Sequence, residues 1–197
     1  MPGAERTTDA TFASVLGAAQ VGAGWACARL WSEHSPAVAG FLTARGSREP
    51  ADLTSEVFLA VFARLPQFSG DAAAFRSFVF SIAYRRLVDE LRMRGRRGDT
   101  VELFADEDPR RASSAEDDAL ARLANERTVA LLQTLAPDQC DVMMLRIVAD
   151  LSVEQVAEVL AKRVGAVKAL QRRALVQLRK KFDAPRTPHA APDDSGK

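Results

Sequence analysis

The chain is poor in the residues that build metal centres and redox chemistry. Its 197 residues include two cysteines, two histidines and one tyrosine. Cys27 and Cys140 stand 113 positions apart, so neither a disulfide-dense scaffold nor a four-ligand zinc site is available. Both are expected to be inert buried thiols. His34 and His189 have no metal-ligand partners and are expected at the surface, and no cofactor is expected. Enzyme motifs are missing as well. There is no Gly-Lys-Ser/Thr phosphate loop, no His-Glu-x-x-His and no Gly-x-Ser-x-Gly. Gly22-Ala-Gly24 lacks the third glycine of a dinucleotide loop, because Cys27 holds that place. The expectation is a protein that is not an enzyme. Long apolar runs are absent too. Phe12–Leu30 is rich in small apolar residues, but Gln20 and three glycines interrupt it. Glu5, Arg6 and Asp9 precede it, where an export signal would carry positive charge. No membrane insertion is expected, and the expected location is the cytoplasm.

Charge of one sign is also lacking overall, at a net +1, yet it is plentiful locally. Residues 21–84 are neutral. Residues 85–97 carry six arginines against Asp89 and Glu90, whereas residues 98–118 carry eight acids against Arg110 and Arg111. Residues 162–181 hold eight basic side chains and no acid. Two cationic segments separated by an anionic one suit a bipartite binder of a polyanion. With 47% hydrophobic and 27% charged residues, the chain can bury a core.

No internal repeat or strand alternation is visible. The pattern predicts an all-α fold of two small helical domains joined by an acidic linker, the second a helix-turn-helix. The expected parts are a mobile N-terminal segment (1–19), a first domain (20–97), an acidic flexible linker (98–118), a second domain (119–182) and a disordered tail (183–197). After Pro50, Leu53, Val57, Val61 and Leu65 recur every four residues, widened by Phe58 and Phe62, and Pro66 ends that helix. A polar loop carrying Phe68 leads to a long helix from about Phe75 to Met93, ending in arginines. In the second domain Pro137 suits the first turn of a helix over 138–149. Ser152 with Gln155 forms a capping box for a helix over 153–161. From Gly165 to Phe182, Val167, Leu170, Ala174 and Leu178 fall on one side, and Lys168, Arg172, Arg173, Arg179 and Lys180 on the other. A short helix, a tight turn and a helix with a basic outer face make a helix-turn-helix.

These segments resemble the extracytoplasmic-function (ECF) class of bacterial RNA polymerase sigma factors, of the sigma-70 superfamily. Asp52-Leu-Thr-Ser-Glu-Val-Phe-Leu is similar to the family's polymerase-binding helix. Phe68-Ser-Gly-Asp, with Phe75-Arg-Ser-Phe-Val-Phe-Ser-Ile-Ala, resembles the loop and helix that open the minus-ten promoter element, and Leu87-Val-Asp-Glu-Leu-Arg resembles the basic helix that follows. Leu135-Ala-Pro-Asp-Gln, Leu151-Ser, Val156-Ala-Glu-Val-Leu and Val164-Gly-Ala-Val-Lys resemble the domain that reads the minus-thirty-five element. The resemblance covers about 160 residues, in the family's order.

It implies that Asp52, Leu53, Glu56, Val57 and Phe58 bind core RNA polymerase. Phe68, Ser69, Phe75, Arg76, Phe78, Arg85, Arg86 and Arg92 would meet minus-ten DNA, and Arg163, Ala166, Lys168, Arg172 and Arg173 minus-thirty-five DNA. An anti-sigma factor is a further partner it implies. The residues fit that chemistry. Clustered cations neutralise phosphates, a helix in the major groove reads bases, and opened strands need aromatic platforms. Departures from the family pattern are Ala161 where glycine is usual in the turn, Arg163 where a capping serine is usual, and Leu170-Gln171 where Arg-Leu is usual. The usual Asn of the upstream helix is Arg85. Two other readings remain: a regulator binding duplex DNA as a dimer without polymerase, and a sigma-like protein-interaction module.

Overall fold

A computed structural model describes residues 4–96 and 128–183, with no strand among them. The expected acidic linker lies outside these residues, as does the expected tail from residue 184 onward. The first domain is built from α1 (Ala4–Gln20), α2 (Gly24–Ala44), α3 (Pro50–Arg64), a 3-10 turn (Leu65–Gln67) and α4 (Ala72–Arg96). The second is built from α5 (helical over 128–133), α6 (Pro137–Ile147), α7 (Val153–Val159) and α8 (Val164–Asp183). The all-α, two-domain expectation holds, and the helix-turn-helix is α7 and α8.

Periodicity accounts for the first core. Val57, Val61 and Leu65 are buried as their four-residue spacing requires, and Phe58 joins them. Pro50 opens α3 at a position where its missing N–H costs nothing. The long helix α4 runs three residues further at each end than its apolar pattern indicates. Its start is set by Asp71, whose carboxylate accepts the Ala74 N–H at 2.7 Å, a side-chain cap for an otherwise unsatisfied donor. Phe41, Phe58, Phe75 and Phe80 are fully enclosed, each stabilising the fold by roughly 1.5–3 kcal/mol.

Where a mobile segment is expected over 1–19, the described part of that span, from residue 4 onward, is helical. Residues 4–20 form α1, and Phe12, Val15, Leu16 and Ala19 are buried in the core. Phe12 meets Phe75 with ring centroids 5.6 Å apart. His34 is likewise not a surface histidine. It packs 5.2 Å from the Phe75 ring, its Nε2 is enclosed without a hydrogen-bond partner, and burial lowers its pKa. The folded state thus resists protonating His34, so this residue withdraws stability as pH falls below about 6.5, the ordinary histidine value.

In the second domain, Ser152 and Gln155 form the expected capping box, Ser152 Oγ accepting the Gln155 N–H at 3.1 Å and Gln155 Oε1 the Ser152 N–H at 2.8 Å. The apolar face of α8 is the expected one, with Val167, Leu170, Ala174 and Leu178 buried. The turn between α7 and α8 is closed by the Ala161 N–H on the Glu158 carbonyl and the Lys162 N–H on the Ala157 carbonyl, a Schellman closure. That closure puts Ala161 at φ +50°, the left-handed conformation where glycine is easily accommodated and a Cβ is not. The equivalent closure of α2 uses Gly46 at φ +81°. Ala161→Gly is therefore expected to stabilise the second domain by about 0.5–1 kcal/mol, read as a higher urea midpoint by circular dichroism. A lowered midpoint would show that the turn carries no strain.

Candidate nucleic-acid and partner interfaces

The segment 52–58 lies on α3, and the helix divides it. Asp52 and Glu56 are exposed, and Leu59, which follows at helical spacing, is 71% exposed. Leu53 is half-buried at the edge. Val57 and Phe58 are enclosed, at 0% and 1% exposure, so they support the helix from beneath and offer no surface to a partner. This corrects the expectation for those two residues. The outward stripe is Asp52, Glu56 and Leu59, and Leu59 was not singled out in the sequence because it reads as one more apolar residue of the core stripe.

The residues of the second group divide in the same way. Phe68 stacks on Phe78 with centroids 5.1 Å apart and meets Phe75 edge-on at 5.5 Å. Phe75 is fully enclosed, so it is the floor of this cluster and presents nothing to DNA, a second correction. Phe78, Arg85 and Arg92 recur every seven residues, which places them on one face of α4. The aromatic stack and two exposed arginines thus line one surface. Ser69 is exposed in the loop beside them. Arg86 points elsewhere, toward Glu56 of α3 at 3.5 Å, an exposed pair worth less than about 1 kcal/mol. Arg76 lies on the far side of α4, paired with Asp150 at 2.6 Å.

The loop is held closely. A Cβ on Gly70 would stand 2.8 Å from the Ala74 Cβ and 3.1 Å from Phe68 Cζ, so only glycine lets the loop lie against α4 with the Phe68 ring in place. In the second domain Arg163, Ala166, Lys168, Arg172 and Arg173 are all exposed along the start and outer face of α8. Leu170 is buried and belongs to the core. Arg172, Arg173 and Lys180 line an open cleft of about 450 Å³ with Gln139 and Gln177. No group of His, Cys, Asp and Glu among the described residues is placed to hold a metal, and none of their helices is long and apolar enough to cross a membrane.

The family model for Sigma-70 region 2 matches residues 30–97, and that for Sigma-70, region 4 matches residues 131–180. The ECF RNA polymerase sigma factor ShbA of Streptomyces griseus is 32% identical over 131 residues, covering 65% of this chain and 69% of that protein. The chain belongs to the ECF RNA polymerase sigma factors. Another member, BldN of Streptomyces coelicolor, is 32% identical over 161 residues, 80% of this chain and 60% of BldN. The chain thus spans under two thirds of BldN. Among solved structures, the sigma factor RpoE in complex with the anti-sigma factor NepR from Bartonella quintana superposes with a TM-score of 0.61 at 20% identity, covering 80% of this chain and 97% of that one. CnrH in complex with the cytosolic domain of CnrY gives 0.60 at 23%, over 87% and 97%. These two likenesses concern the fold.

In this sigma factor the two domains touch. Arg45, the residue that closes α2, donates to Asp141 of α6 at 2.5 Å, with the side chains only 16% and 7% exposed. Gln133 also donates to the Ala44 carbonyl at 3.0 Å. Burial pushes the Asp141 carboxyl above its usual range, and the Arg45 guanidinium only partly offsets this. A second contact joins the start of α4 to the helix-turn-helix, where Arg76 meets Asp150 and Gln155 donates to the Ala73 carbonyl at 3.1 Å. Removing Arg45 would leave Asp141 charged and dry, at about 3 kcal/mol, a cost relieved when the domains part and water reaches the carboxylate. Arg45→Ala is expected to enlarge the radius of gyration in small-angle scattering at unchanged helix content. An unchanged radius would show that this pair does not hold the domains together.

Proposed function

We propose that the protein binds core RNA polymerase and directs it to promoters, recognising minus-ten and minus-thirty-five elements and helping to open the first. The observation that carries this reading is the pairing, on one chain, of a region 2 domain with an aromatic-arginine face and a region 4 domain with a basic recognition helix. Phosphates on both sides of the promoter would be neutralised by these separate cationic surfaces. Phe68 of the loop and Phe78 of α4 offer a platform for a base leaving the stack, flanked by Arg85 and Arg92. On α8, Arg163, Ala166, Lys168, Arg172 and Arg173 enter the major groove as the second helix of a helix-turn-helix does.

The stripe of Asp52, Glu56 and Leu59 serves as the polymerase contact. A regulator acting on duplex DNA alone would have no use for it, which favours the sigma-factor reading over that alternative. Two solved structures with this fold were captured with a protein bound, CnrH with the cytosolic domain of CnrY and RpoE with the anti-sigma factor NepR. An anti-sigma factor is the corresponding partner proposed for this chain.

Run-off transcription with core polymerase on genomic fragments is expected to give transcripts with defined start sites that depend on the added protein. Their absence from every fragment would end this reading. In a separate measurement, Lys168→Ala with Arg172→Ala is expected to weaken binding of the upstream element. The slope of log affinity against log salt should fall by roughly one for each phosphate no longer neutralised. A slope equal to that of the unmodified protein would move the minus-thirty-five interface away from this face of α8.

A further inference from the structure

The loop that carries Phe68 is fastened from outside the region that the family model matches. Gln20, the last residue of α1, directs its side-chain amide at the 3-10 turn ahead of that loop. Its Nε2 donates to the Leu65 carbonyl at 3.1 Å and to the Phe68 carbonyl at 2.7 Å. The turn itself brings these two carbonyls to one side, the Phe68 N–H closing on the Leu65 carbonyl at 3.0 Å. An amide nitrogen has two N–H donors, and both are used here. The chain then leaves the Phe68 carbonyl for the exposed Ser69 and Gly70. Fastening that carbonyl therefore fixes the direction in which the loop departs and the orientation of the Phe68 ring over Phe78. The same helix braces the floor of the site, since Phe12 packs on Phe75. The region 2 match begins only at residue 30, so α1 lies outside it, and two of its residues, eight positions apart, serve one loop.

We propose that Gln20 is a positioning residue for promoter opening, holding the Phe68 loop in its DNA-receiving form before DNA arrives. This rests on the reading of that loop as the minus-ten contact. A loop ordered in advance does not spend binding free energy on its own ordering, so the effect falls on strand opening. The polymerase-facing stripe of Asp52, Glu56 and Leu59 lies on another helix, and core binding is not expected to depend on Gln20.

The test uses the full chain with core polymerase on a promoter mapped by run-off transcription. Open complex is read by permanganate reactivity of unpaired thymines, and core affinity by fluorescence anisotropy. Gln20→Met keeps the length and removes both donors, whereas Gln20→Lys restores a donor. Expected for Gln20→Met is a loss of about tenfold in open complex, the scale of one net hydrogen bond, with core affinity changed by less than about twofold and Gln20→Lys recovering most of the loss. Phe68→Ala is run in parallel. If it abolishes opening while Gln20→Met does not, the positioning role is overturned and the loop assignment stands. A parallel fall in core affinity would make Gln20 a folding residue and overturn the proposal, as would a lysine variant no better than methionine. If Phe68→Ala leaves opening intact, the loop assignment falls and the role of Gln20 falls with it.

Discussion

The first domain is organised around one enclosed ring, Phe75. Four separate parts of the chain end on it: Phe12 of α1, His34 of α2, Phe68 of the loop, and Phe78 from its own helix at 6.3 Å. Offset and edge-on ring contacts favour particular orientations as well as close approach, so this ring fixes where the other four side chains stand. The surface proposed to meet DNA is thus the outer layer of an aromatic cluster whose inner layer cannot move independently. Such a base is rigid in the way that close-packed interiors are, and it lets a short exposed loop keep a defined shape.

Much of this was legible in advance, for reasons that differ by element. The two faces of α8 could be read because a 3.6-residue period keeps every basic side chain between Val167 and Lys180 away from the buried stripe, although Leu175 and Val176 are apolar and exposed. Ser152 and Gln155 could be read because a capping box is a local device with a fixed spacing. On α3 two sources of inference disagreed. The resemblance offered Asp52, Leu53, Glu56, Val57 and Phe58 together, whereas the helical period had already assigned Val57 and Phe58 inward. Periodicity was the better guide, since these five positions span both faces of one helix.

What was not legible is tertiary. The α1 helix is rich in alanine and short polar residues, so its stripe of Phe12, Val15, Leu16 and Ala19 is too weak to separate from a loose terminus. The partners of Arg45 and Arg76 lie 96 and 74 residues further along, beyond the reach of any spacing rule. Gln20 gave no local signal either, because its two acceptors are main-chain carbonyls of a distant turn. Ala161 is an intermediate case. The missing glycine was visible in the sequence, but that it matters follows only from the φ of +50° that the turn imposes.

The two ties between the domains respond differently to the surrounding solution. Asp150 is 82% exposed where it meets Arg76, so mobile ions reach that pair and weaken it within the ordinary screening range. Arg45 and Asp141 are largely shielded from such ions. Raising the ionic strength therefore loosens the exposed tie before the shielded one, so that salt acts on one end of the contact between the domains and leaves the other end in place.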